Sequence, residues 1–92
     1  MKFETFEIDQ QVLECCGCCT LASIDDGRYE IAIVMLMDED KNTSYEYELY
    51  EYQRKVYNWR APNVSRLDDE QLYTLLSKML KDERLERMVK QA

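Results

Sequence analysis

Residues 23–36 read SIDDGRYEIAIVML, and the reading of this stretch decides the fold. Asp26-Gly27 lies between two apolar runs, the signature of a two-residue β-hairpin, because glycine accepts the positive φ that such a turn requires. A turn centred there predicts Ile24 opposite Tyr29, Ala22 opposite Ile31, Thr20 opposite Ile33 and Cys18 opposite Met35. The second arm begins by alternating, with Arg28 and Glu30 outward and Tyr29 and Ile31 inward. It ends as AIVMLM, apolar on both faces, as a central strand does.

Outward from the hairpin, DEDKNTS (38–44) is a polar turn, followed by YEYELYEY (45–52) with period two. Tyr45, Tyr47 and Leu49 share one face and Glu46 and Glu48 the other. Tyr50 and Tyr52 then fall on the glutamate face, which calls for a bulge or for cover on both faces. VYNW (56–59) either continues this strand or pairs as another. Towards the N-terminus, KFETFEI reads as a short strand with Phe6 and Ile8 inward.

RLDDEQLYTLLSKML (66–80) carries a helix start. Asp68 is the N-cap, Gln71 the reciprocal partner of a capping box, and Leu67 and Leu72 occupy the staple positions. Asp69 and Glu70 suit the positive end of the helix dipole, so this acidic run is read as a helix start rather than as a metal or catalytic site. Leu72, Leu75, Leu76, Met79 and Leu80 form one apolar stripe. It breaks across KDER (81–84) and resumes, rotated, as Leu85, Met88 and Val89. Two forms fit: a kink with Asp82 recapping a second helix, or one long helix touching two surfaces, the second of which would be another chain.

These signals predict a single α+β domain over 1–92. Residues 1–60 form an antiparallel sheet of three to five strands, 61–67 a connection, and 68–91 a C-terminal helix, kinked near 81–84, packed on one sheet face. Neither a membrane span nor an export signal is expected: the longest apolar run is IAIVMLM (31–37), and MKFETFEIDQ places acids where a signal needs apolar residues. A cytoplasmic protein with reduced thiols is the consequent expectation.

The cluster ECCGCCT (14–20) holds all four cysteines. Cys15/Cys18 and Cys16/Cys19 have C-x-x-C spacing, but the pairs interleave, and five consecutive residues do not easily wrap one zinc ion with four ligands. Two chains contributing a pair each would. A redox pair needs its thiolate stabilised, and Glu14 opposes that. Packing is the favoured reading. On a strand, Cys16 and Cys18 face one way; on a helix begun at Asp9, Val12, Cys15, Cys16 and Cys19 form a stripe ended by Gly17, and both arrangements put sulfur in a core.

The chain has no histidine, which removes Ser-His and Cys-His nucleophiles, and its two isolated glycines build no phosphate loop. No catalytic residue is assigned and no enzyme is expected. The net charge is −7, made of −5 over 1–27, −2 over 28–60 and 0 over 61–92. Direct nucleic-acid binding is therefore disfavoured and a basic protein partner favoured. The expected partner surface comprises Asp38, Glu39, Asp40, Glu46, Glu48, Tyr50, Glu51 and Tyr52, carboxylates spaced beside interface-prone tyrosines. In size, acidity and lack of catalytic residues the chain is similar in type to small phage inhibitors of host defence such as anti-CRISPR proteins. That likeness implies an inhibitor or modulator of a nucleic-acid-binding protein. Two alternatives stand beside it: a zinc module on Cys15, Cys16, Cys18 and Cys19, and a structural homodimer joined through a sheet edge or through Leu85, Met88 and Val89. No cofactor is expected apart from that alternative zinc.

Overall fold

The computed structural model describes residues 1–91, with Met88 and Gln91 described by backbone only. The hairpin forms from β2 (Cys18–Asp25) and β3 (Tyr29–Met37). Its turn sits one residue later than expected, at Gly27 (φ 100) and Arg28. The Asp26 amide donates to the Tyr29 carbonyl at 3.0 Å, and Asp26 Oδ1 accepts from the Arg28 and Tyr29 amides. Moving the turn centre by one residue slides the register by two, so Ile24 pairs with Ile31 and Asp25 with Glu30. From the turn to Ala22 a slide of two keeps each side chain on its face, and the inward set Ala22, Ile24, Tyr29, Ile31 and Ile33 is buried. Beyond a bulge at Leu21 the slide is one, pairing Thr20 with Val34 instead of Ile33.

β4 (Thr43–Glu51) pairs with β3, and β5 (Arg54–Arg60) pairs with β4 across a two-residue turn at Tyr52 and Gln53. VYNW thus belongs to a strand of its own. β1 (Lys2–Thr5) adds to the free edge of β2, giving a five-stranded antiparallel sheet in the order β1-β2-β3-β4-β5. The apolar β3 lies at its centre, as its run of apolar residues on both faces requires. Phe6 and Ile8 fall beyond β1 and are half exposed; Phe3 is the residue that turns inward, its ring edge-on to Tyr73 at 5.3 Å.

The helical part is three helices rather than a single C-terminal one: α1 (Gln10–Cys16), α2 (Asp69–Leu80) and α3 (Arg84–Gln91). Asp9 caps α1, and Gly17 ends it in the left-handed region at φ 75. α2 starts at the expected capping box: Asp68 Oδ1 accepts from the Gln71 amide at 2.8 Å, and Gln71 Oε1 from the Asp68 amide at 3.0 Å. Its Leu72, Leu76 and Leu80 join Ile24, Ile31, Ile33 and Leu49 in the main core, each worth ~1.5–3 kcal/mol of burial. The chain breaks at Lys81–Glu83, where Asp82 Oδ1 accepts from the Arg84 amide at 2.9 Å. Leu85, 4% exposed, then enters the same core and Val89 packs on it. The resumed stripe thus touches this chain's own core, and Leu85 is not offered to a second copy; the Met88 side chain lies outside the described residues. No helix among the described residues is long and apolar enough to cross a membrane.

A candidate acidic docking face

Alternation along β4 sends Tyr47 and Leu49 into the core and turns Glu46, Glu48 and Tyr50 to the opposite face of the sheet. These three are brought together. The Glu48 carboxylate is largely enclosed, its side chain 19% exposed. Its Oε1 accepts from the Tyr50 hydroxyl at 2.9 Å and its Oε2 from Lys55 Nζ at 3.2 Å. Burial, then the bond to Glu48, pushes the Tyr50 hydroxyl up to about 12, so the ring presents a neutral donor already committed to the glutamate. Glu46 accepts from Asn58 Nδ2 at 3.2 Å, and Arg60 stands opposite it on β5.

The other expected contact residues do not join this group. Asp38, Glu39 and Asp40 form the exposed β3–β4 turn, where Asp38 Oδ1 accepts from the Asn42 amide at 2.8 Å and so serves the turn. Glu51 and Tyr52 lie at the far end of β4, about 25–30 Å from that turn at the usual strand rise. Glu51 also has the parity of Leu49 rather than Glu48. Its Oε2 takes Arg28 Nε and Nη2, each at 3.0 Å, and Arg28 Nη1 reaches Glu86 of α3 at 3.9 Å. Arg28 thus ties the hairpin turn to the end of β4 and reaches towards α3. Tyr52, 72% exposed, stands on the β4–β5 turn at φ 48 beside Gln53 at φ 67. No bulge in β4 turns the chain: the register shift lies on β5, where Leu49 pairs with Tyr57 and Tyr50 with Lys55.

Sequence reasoning missed three members of the face. Glu4, Asp25 and Glu30 share it with Glu46 and Glu48, and Asp25 stands directly across from Glu30. Burial, then Asp25, then Glu4 raises the Glu30 carboxyl above its ordinary range, while Lys2, 2.8 Å from Glu4, pulls it back. The signal for this group was the hairpin register: a turn centred one residue later puts Asp25 against Glu30 instead of Arg28.

The cysteines divide. Cys19 is buried, but Cys15, Cys16 and Cys18 are exposed and add nothing to a core. A bulge at Leu21 shifts the register so that Cys19 pairs with Met35 and Cys18 with Leu36. Cys15 and Cys16 lie on α1, which buries Leu13 instead, so packing is overturned as the role of three of the four. Cys15, then burial and Cys18, raises the Cys16 thiol above its usual value. Among the described residues no three metal-ligating side chains lie close enough together to hold an ion. Compared with protein-family models, curated proteins and solved structures, the chain matches none.

Proposed function

We propose that this chain is a non-catalytic interaction protein that lays its acidic sheet face on a basic, nucleic-acid-binding protein and inhibits or modulates it. One observation carries the reading. Glu4, Asp25, Glu30, Glu46 and Glu48 rise from four neighbouring strands on one face, against Lys2, Lys55 and Arg60 on the same face. Carboxylates set opposite one another cost stability in the free protein, and a partner's lysines and arginines relieve that cost on docking. Their spacing along and across strands imitates a run of phosphates, and Tyr50 supplies a partly buried ring beside Glu30 and Glu48. Four unpaired thiols suit action in a reducing compartment such as the cytoplasm.

The test is binding to a panel of basic nucleic-acid-binding proteins at low and high ionic strength, with a DNA oligonucleotide as competitor. The expected result is saturable binding that salt and DNA both abolish, weakened at least about tenfold by Glu30→Gln, Glu46→Gln and Glu48→Gln together. Binding that the triple variant retains in full, or none to any member at low salt, overturns the reading.

A further inference from the structure

We propose that Cys15 and Cys16, at the end of α1, form a two-coordinate site for a thiophilic monovalent cation, copper(I). Cysteine is among the residues most often buried, yet Cys15, Cys16 and Cys18 stand exposed within four positions. The backbone beneath them is fixed. The Gly17 amide donates to the Leu13 carbonyl at 2.9 Å, and the Gly17 carbonyl accepts from the Met37 amide at 2.9 Å. Leu13, 2% exposed, anchors the same helical turn. Sulfurs carried on a fixed backbone meet an ion at little cost in ordering.

The Cys15 thiol lies close enough to Cys16 to be its hydrogen-bond partner, the first of the causes that raise the Cys16 thiol. Two sulfurs that share a proton can share a cation in its place, each thiol releasing its proton as the ion binds. Other chemistries fit these thiols less well. Structural zinc takes four ligands, and no third ligating side chain among the described residues joins a pair. A second copy would have to supply the rest, and two chains of net charge −7 repel each other. A reactive thiolate needs a helix N-terminus or a nearby cation. These cysteines end their helix instead, Glu14 precedes them, and the groups acting on Cys16 are Cys15 and Cys18. Copper(I) is soft, selects thiolate and is satisfied by two sulfurs. Conditions reducing enough to keep the four thiols free also hold copper in this lower oxidation state.

The experiment titrates the full chain, reduced and held under argon, with copper(I) in competition with the colorimetric chelator bicinchoninate. Native mass spectrometry counts ions and subunits. One ion per monomer is expected. Cys15→Ser and Cys16→Ser, at exposed positions outside the core, should each weaken binding at least about a hundredfold, the loss of one ligand of two. Cys18→Ser should change it by less than about threefold. Denaturant melts of the three variants should match the parent, which separates loss of the site from loss of the fold. A synthetic ECCGCCT peptide should bind at least about tenfold more weakly than the chain, because nothing holds its sulfurs. Four outcomes overturn the proposal: no copper taken from the chelator, full binding by Cys16→Ser, a loss with Cys18→Ser as large as with Cys16→Ser, or a peptide as tight as the chain, which would mean adventitious thiol binding only. A dimer holding one ion also overturns it and assigns the site to two copies instead.

Discussion

Asp25 and Glu30 face each other across β2 and β3 with Glu4 alongside, an arrangement that a sheet selected for stability alone would avoid. Because the folded protein holds the Glu30 carboxyl above its ordinary range, folding is favoured with that group neutral, and the benefit is lost as pH rises through the raised value. Glu30→Gln should therefore stabilise the protein near pH 7, by about 0.5 kcal/mol after solvent screening. Denaturant curves at pH 7 and pH 3 check this; at pH 3 the native carboxyl is already protonated, so the two proteins should converge. Asp82 works in the opposite sense. The Arg84 side chain, then its amide, holds the Asp82 carboxyl down at about 2, against an ordinary 3.8. The stability it contributes is present above the ordinary value and disappears as pH falls towards 2. Hydrogen exchange in α3 should accelerate over that interval before exchange in α2 does, and Asp82→Ala should show the same acceleration already at pH 7.

Among the elements, Lys41 and Asn63 hold positive φ singly, whereas the β4–β5 turn places two consecutive non-glycine residues, Tyr52 and Gln53, at positive φ, where Asn-Gly is the usual pair. Replacing them by Asn and Gly should raise stability by about 1–2 kcal/mol in denaturant melts. A smaller gain would mean that the Tyr52 ring makes compensating contacts. Elements whose signals are local could be read from residues: the capping box at Asp68 and Gln71, the break at Asp82, the doubly apolar β3 and the alternating β4. Features set by competition between backbone partners could not. The Asp26 carboxylate, accepting from two amides, fixes the turn one residue beyond Asp26-Gly27, and the bulge at Leu21 decides which cysteine is buried. The candidate face was half legible for the same reason. Glu46, Glu48, Tyr50 and the outward Glu30 follow from alternation along single strands, whereas the meeting of Glu30 with Asp25 and Glu4 depends on a register that periodicity does not determine.

At the scale of the molecule, the sheet's core face and the C-terminal helices form one apolar unit, with Leu85 joining α3 to it. Leu85→Ala should cost about 2–4 kcal/mol, the range for emptying a buried leucine site. Calorimetry would read the loss, and sedimentation should show no change in oligomeric mass, because the side chain serves its own core. The strand order is the order of the chain, so each ladder pairs neighbours in sequence; even the widest gap, from Thr5 to Ala22, is filled by α1. Topologies of this kind assemble quickly, and on a ribosome each strand would find its partner already made. The covering helix comes last. Until Leu72, Leu76 and Leu80 emerge, a finished sheet holds Ile24, Ile31, Ile33 and Leu49 bare to the cell, and a nascent chain paused near residue 65 is the form of this protein most in need of a chaperone.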